Sequence, residues 1–191
     1  MHIVDPKLPS APPDDDHKHS NYSYISESVA TLDFFWDPFL NTSATLSLVQ
    51  GHLPALGVDD RPAMLVLGSG LWYLRYATTG GLPAWEANTE SLLESVSAAQ
   101  EKPADEVVIL PVEDIVSSKL SPDRAETMHS SDVDAMNSDL HHRINPPSPA
   151  IYSIFSSSPA TLPVSLPLVF NKMLDDASTQ DGLHFSDDIV K

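Results

Sequence analysis

Ala63-Met64-Leu65-Val66-Leu67 runs directly into Gly68-Ser69-Gly70, with Arg61-Pro62 in front of it. A short, continuous apolar run between such breakers reads as a strand apolar on both faces, the kind found in a parallel sheet covered by helices. The Gly-Ser-Gly turn then falls at the C-terminal end of that strand, where open α/β sheets place their ligands.

Working outward, residues 84–101 read as an amphipathic helix with Trp85, Leu92, Val96 and Ala99 on one face and Glu86, Glu90, Glu94 and Glu101 leaning outward. Pro83 marks its start and Pro103 its stop. Glu106-Val107-Val108-Ile109-Leu110-Pro111 is again strand-like. Ser121-Pro122 is a helix start, a cap residue followed by proline at the first helical position. Ser130 or Ser131 is expected to cap a further helix, in which Val133, Met136, Leu140 and Ile144 recur at helical spacing until Asn145-Pro146-Pro147. Residues 146–167 are rich in Pro and Ser, with Ala150 to Phe155 as a weak strand or loop and Leu168 to Ala177 as a short helix.

Upstream, Val29 to Trp36 reads as a strand ended by Asp37-Pro38, with a short helical or irregular region over 42–50. Residues 1–22, with Pro6, Pro9, Pro12, Pro13 and the run Asp14 to His19, read as an exposed arm. The Asp/His run matches no metal-ligand spacing, and no metal site is expected. Strands alternating with helices give an α/β architecture with a mostly parallel sheet.

The 191 residues suit one domain. Seventeen prolines against seven glycines favour extended connections over long helices. A formal charge of −17 repels phosphate backbones and anionic membrane surfaces, so nucleic acid is not an expected partner. The absence of cysteine excludes disulfides and thiolate metal sites within these residues. No apolar run of the roughly 18 residues needed to span a membrane occurs, and Met1 to Pro6 does not resemble a secretory signal. Asn21-Tyr22-Ser23 and Asn41-Thr42-Ser43 are glycosylation sequons, relevant in a secretory lumen.

The sharpest chemical feature is Asp181-Gly182-Leu183-His184. An Asp three residues before a His, across a glycine, can fold its carboxylate against the ring, fixing the tautomer and stabilising the imidazolium. By spacing alone, an ordinary surface turn with a solvated His is the favoured reading. His141-His142 reads as a solvated pair on the polar side of a helix.

Several ordered segments carry a resemblance. They are Phe35-Trp36-Asp37-Pro38-Phe39-Leu40-Asn41, Val66 to Tyr76, Leu120-Ser121-Pro122-Asp123-Arg124-Ala125-Glu126-Thr127, Asp134-Ala135-Met136-Asn137 and Asp181 to Asp187. Together they resemble the fungal capsule-synthesis and animal sialate O-acetyltransferases, in which a luminal SGNH-like (PC-esterase) domain precedes a multi-pass membrane acyltransferase region. The resemblance implies a three-layer SGNH-hydrolase-like fold over 23–191, incomplete at both ends. It further implies a Golgi or other secretory-lumen location, membrane tethering through a region downstream, a glycan or polysaccharide acceptor and an acetyl-CoA-derived acetyl donor, with no cofactor bound. Asp181 becomes the orienting acid and His184 the general base of a Ser-His-Asp site. Gly68, Ser69, Gly70 and Trp72 are expected to form the site wall, with a backbone amide serving the oxyanion and Trp72 either stacking on a sugar or lying in the core.

The sequence departs from the family at the nucleophile: residues 1–34 hold no Gly-Asp-Ser motif. Ser69 lacks the Gly-x-Ser-x-Gly spacing, since Leu67 and Leu71 stand at the glycine positions. A partial O-acetyltransferase domain is therefore the expectation. A non-catalytic carbohydrate-binding remnant is the alternative, and an acidic interaction protein using its Pro/Asp-rich arm is a third possibility.

Overall fold

The computed structural model describes residues 21–25, 31–51, 61–144, 164–165, 177 and 179–184. The chain divides into two compact units, Met1–Asp37 and Pro38–Lys191. In the first, β1 (Tyr22–Ile25) pairs antiparallel with β2 (Thr31–Phe34), in the register Tyr22↔Phe34 and Ile25↔Thr31. The aromatic segment before Asp37-Pro38 thus forms one arm of a hairpin, not a member of the parallel sheet. Beyond the ladder, the Trp36 amide donates to Asn21 Oδ1 at 2.7 Å, which continues the closure of the two arms.

The second unit is mixed α/β around a small parallel sheet. Its elements are α1 (Ser43–Val49), β3 (Met64–Leu67), α2 (Leu71–Leu74), α3 (Gly81–Ala98), β4 (Glu106–Ile109), α4 (Pro122–Ala125), α5 (Ser130–Ile144) and β5 (Val164–Ser165). β3 and β4 run parallel with Leu65 opposite Val107 and Leu67 opposite Ile109, and β5 pairs parallel along the other side of β4. Parallel neighbours need a crossover, and α3 supplies it between β3 and β4.

Each helix forms for a readable reason. Thr42 caps α1, its hydroxyl accepting from the Thr45 amide at 3.3 Å, and the helix buries Leu48 and Val49. α3 buries Trp85, Leu92 and Val96 as its spacing predicts, together with Thr89 and Leu93, and packs against α1, α2 and α5. It begins at Gly81, earlier than Pro83 predicts; Pro83 lies in the first turn, where an amide has no intrahelical partner to lose. Ala99 ends the helix as its C-cap and is only half-buried. α5 buries Val133, Met136 and Leu140 on one stripe. Its first residue is Ser130, so both serines lie inside the helix, with the Ser130 hydroxyl 3.1 Å from that of Ser117.

The reading of β3 as apolar on both faces is corrected by the burial pattern. Leu65 and Leu67 enter the core, whereas Met64 and Val66 are exposed. β4 has that double burial instead, with Val107, Val108 and Ile109 all buried. Among the described strands β4 is the central one, with a strand on either side, while β3 is paired on one side; apolar packing covers both faces of β4 and one face of β3. The weak strand at Ala150–Phe155, the helix from Leu168 and the Asp/His run at Asp14–His19 lie outside the described residues. No helix of the described residues is long and apolar enough to cross a membrane.

The two methionines Met136 and Met64 test this core directly. Met136 is fully buried, so Met136→Ala is expected to cost about 2–5 kcal/mol in urea unfolding. Met64→Ala is expected to stay within about 0.5 kcal/mol of wild type. Equal costs would refute the one-sided burial of β3.

Candidate functional site

Three pieces of backbone make up the candidate site: two turns, and the segment after β4 on which each of them rests. The first is the turn Gly68-Ser69-Gly70 leading into α2. Gly70 is buried, and a Cβ there would lie 2.5 Å from a Val112 methyl, so only glycine allows this turn to sit on Val112. Ser69 and Trp72 are half-buried, and Tyr73 is buried with its hydroxyl donating to the Phe39 carbonyl at 3.0 Å. Phe39 and Tyr73 meet edge to face at 4.9 Å between ring centroids.

The second piece is the irregular segment after β4. Leu110 N donates to Leu67 O at 2.8 Å, extending the ladder by one bond. Asn137, on α5, then grips the next turn from both sides: Val112 N donates to Asn137 Oδ1 at 2.8 Å, and Asn137 Nδ2 donates to Val112 O at 2.9 Å. A carboxamide matches a peptide group in shape and in donor–acceptor pattern, so this one side chain stands in for a missing strand partner.

The third piece is the turn at Asp181. The buried Thr179 hydroxyl accepts from Gly182 N at 3.0 Å, and Gly182 O accepts from Val116 N at 3.0 Å. Gly182 has φ +82, and a Cβ there would stand 2.7 Å from Val116 O. Leu183 is buried in the core and anchors the turn. Asp181 Oδ1 accepts from the amides of Leu183 at 3.0 Å and His184 at 2.9 Å. Its Oδ2 lies 2.8 Å from His184 Nδ1 and 3.0 Å from Arg124 Nη1.

Partial burial by itself would raise the pKa of Asp181. The His184 and Leu183 amides, the His184 ring and the Arg124 guanidinium together outweigh that, and hold the carboxyl well below the ordinary range. Asp181 is therefore a carboxylate at neutral pH, and a carboxylate can only accept. Nδ1 of His184 must then carry a proton, on a ring whose side chain is 78% exposed and whose Nε2 points away from this carboxylate contact. Desolvation raises the pKa of Glu113, and the electrostatic pull of His184 opposes that rise.

Asp181 and His184 thus come together as the tetrapeptide spacing predicts. The glycine turn and the acid–base turn share the Leu110–Val116 segment as a support, Gly70 resting on Val112 and Gly182 bonded to Val116. Among the described residues no serine hydroxyl is bonded to His184. Asn21 and Asn41 are exposed, and so are His141 and His142. No group of three or more metal-capable side chains occurs among the described residues. Depressions beside α3, one lined by Gln50, Ser91 and Ala99 and another by Leu93, Ser97 and Arg143, include none of the site residues.

Sequence reading missed Arg124, Glu113 and the clamp formed by Asn137. Arg124 and Asn137 do fall within the segments Leu120–Thr127 and Asp134–Asn137 that carry the family resemblance, but helical periodicity says nothing of what their side chains grip. No family model matches the chain, and no solved structure matches it.

Two substitutions check this geometry. Asp181→Asn lowers stability, and because the folded-state pKa is depressed the sign follows. The difference from wild type is full above the unfolded-state value of about 3.9 and shrinks as pH falls towards the folded-state value. Thermal melts are expected to show a constant gap between roughly pH 5 and 7 that narrows below about pH 4. Gly182→Ala adds positive-φ strain and a collision with Val116 O, for an expected loss of about 1–3 kcal/mol.

Proposed function

We propose that this chain carries the acid–base part of an acyl-transfer site, within an SGNH-like luminal domain of a glycan or polysaccharide O-acetyltransferase. One observation supports this reading above the others: a carboxylate held ionised by two amides and a guanidinium takes Nδ1 of an exposed histidine at 2.8 Å. In this reading the three-layer SGNH arrangement is completed by parts of the fold beyond the described sheet, and the protein works in the secretory lumen.

The chemistry runs in two steps. His184 Nε2 takes the proton of a serine hydroxyl while its oxygen attacks the carbonyl carbon of an acetyl donor derived from acetyl-CoA. Asp181 stabilises the imidazolium so formed. Backbone amides of the Gly68–Gly70 turn bear the oxyanion, and the leaving group departs with the proton from His184. In the second step His184 deprotonates a sugar hydroxyl, which attacks the acetyl-serine, and the proton returns to the serine as its ester bond breaks. The serine belongs to a Gly-Asp-Ser motif that residues 1–34 do not contain.

A second reading, a carbohydrate-binding remnant, draws on the aromatic edge beside the turn. Trp72 is half-buried, and Tyr76 is 50% exposed with the Arg75 guanidinium 4.7 Å from its ring centroid. Such faces suit the apolar side of a sugar ring.

The full-length product of the transcript encoding these residues is expected to form an acetyl-serine adduct with an activated acetyl ester, seen by intact-mass spectrometry. His184→Ala should slow adduct formation about 10²–10⁴-fold. Undiminished adduct formation in that variant would remove the acyl-transfer reading. Glycan binding that is lost in Trp72→Ala and kept in His184→Ala, with no adduct in either, would establish the binding remnant instead.

A further inference from the structure

Asp123 and Arg124 are neighbours on α4, yet their side chains hold different parts of the site. Asp123 Oδ2 accepts from Arg75 Nη1 at 3.2 Å and Nη2 at 3.1 Å, and Arg75 directly follows α2. Arg124 Nη1 donates to Asp181 Oδ2 at 3.0 Å. The short helix that carries both is itself fixed. The Ala125 amide donates to Ser121 O at 2.9 Å, the Met128 amide donates to Arg124 O at 2.8 Å, and Met128 is buried in the core. Thr127 Oγ1 adds a contact to the Arg75 carbonyl at 3.4 Å.

Stability does not explain this arrangement. Exposed ion pairs contribute about 0–1 kcal/mol, and Asp181 and Asp123 are 41% and 64% exposed. What the Arg124 contact changes is geometry. Both backbone donors fall on Asp181 Oδ1, and among the described residues Oδ2 meets Arg124 and the His184 ring. The two amides on Oδ1 hold the planar carboxylate from within its own turn. Arg124 adds a donor to Oδ2 from outside that turn, on a helix anchored in the core, and so resists rotation of the carboxylate away from the ring.

We propose that Arg124 is the positioning residue of the acid–base pair: it sets the Asp181 carboxylate so that Oδ2 selects the Nδ1–H tautomer of His184. The proposal rests on the reading of His184 as a base, since only a base needs one tautomer. The charged groups that bear on the ring are Asp181 from its own turn, Arg124 from α4 and Glu113 from the segment after β4.

The test is ¹⁵N NMR of the His184 side chain in alkaline solution, for wild type, Arg124→Gln, Arg124→Lys and Asp123→Asn, with near-UV circular dichroism of the Trp85 environment as the fold control. Wild type is expected to show mainly Nδ1–H. Arg124→Gln should move towards the Nε2–H-rich ratio of free imidazole, and Arg124→Lys should restore part of the preference. Asp123 is exposed, so Asp123→Asn leaves the core intact; by releasing Arg75 it should shift the ratio the same way by less. It decides the matter if Arg124→Gln unfolds. A wild-type ratio in the folded variants overturns the proposal and leaves the acyl-transfer reading standing. A free-imidazole ratio in wild type overturns both.

Discussion

The two hydrogen bonds between Asn137 and the Val112 peptide hold the site together. A strand that leaves a small sheet has no ladder to keep its next residues in place, and its peptide groups must find partners or water. Asn137 supplies both a donor and an acceptor at one point, from a helix whose Val133, Met136 and Leu140 are buried in the core. The segment past β4 is thereby fixed relative to α5. On that fixed segment the Gly70 backbone packs against Val112, and Val116 holds Gly182. Both turns therefore rest on a segment that Asn137 holds at Val112.

Electrostatics at the site work against the background of the chain. The protein carries a formal charge of −17, a field that by itself disfavours one more carboxylate. Asp181 nevertheless stays ionised, because four donors converge on its two oxygens over distances of 2.8–3.0 Å. Short-range hydrogen bonds to a partly buried carboxylate outweigh distant surface charges, which solvent and salt screen. Arg75 and Arg124, the guanidinium groups nearest the two turns, are each committed to an aspartate. They act by placing atoms and add little to the folding free energy.

The packing is one-sided where it meets the edge of the sheet. α3 and α5 pack together, and β4 is buried along its apolar residues, while β3 keeps Met64 and Val66 exposed. Among the described strands, the glycine turn therefore grows from one at the edge. Its fixed position depends on Val112 on one side and on Tyr73 on the other, whose hydroxyl holds the Phe39 carbonyl that Asn88 Nδ2 also meets at 2.7 Å. This is a site supported by loops and single side chains, which helps explain why so much of it escapes a reading of periodicity.

Some of the structure is set by the order of residues alone. Apolar runs between Gly and Pro breakers mark β3 and β4, three- and four-residue spacing marks the stripes of α3 and α5, and Asp181-Gly182-Leu183-His184 marks the acid–base turn. These are local properties, decided by steric preference and amphipathic period within a dozen residues. Other features needed the folded chain. Which strand is buried on both faces depends on what packs over those faces in the folded chain, and the double burial went to β4 and not to β3. That Asn137 clamps Val112 and that Arg124 meets Asp181 across 57 residues are long-range outcomes. No local period encodes them, because a contact between distant segments is selected by the packing of the whole core and not by either segment's own preference.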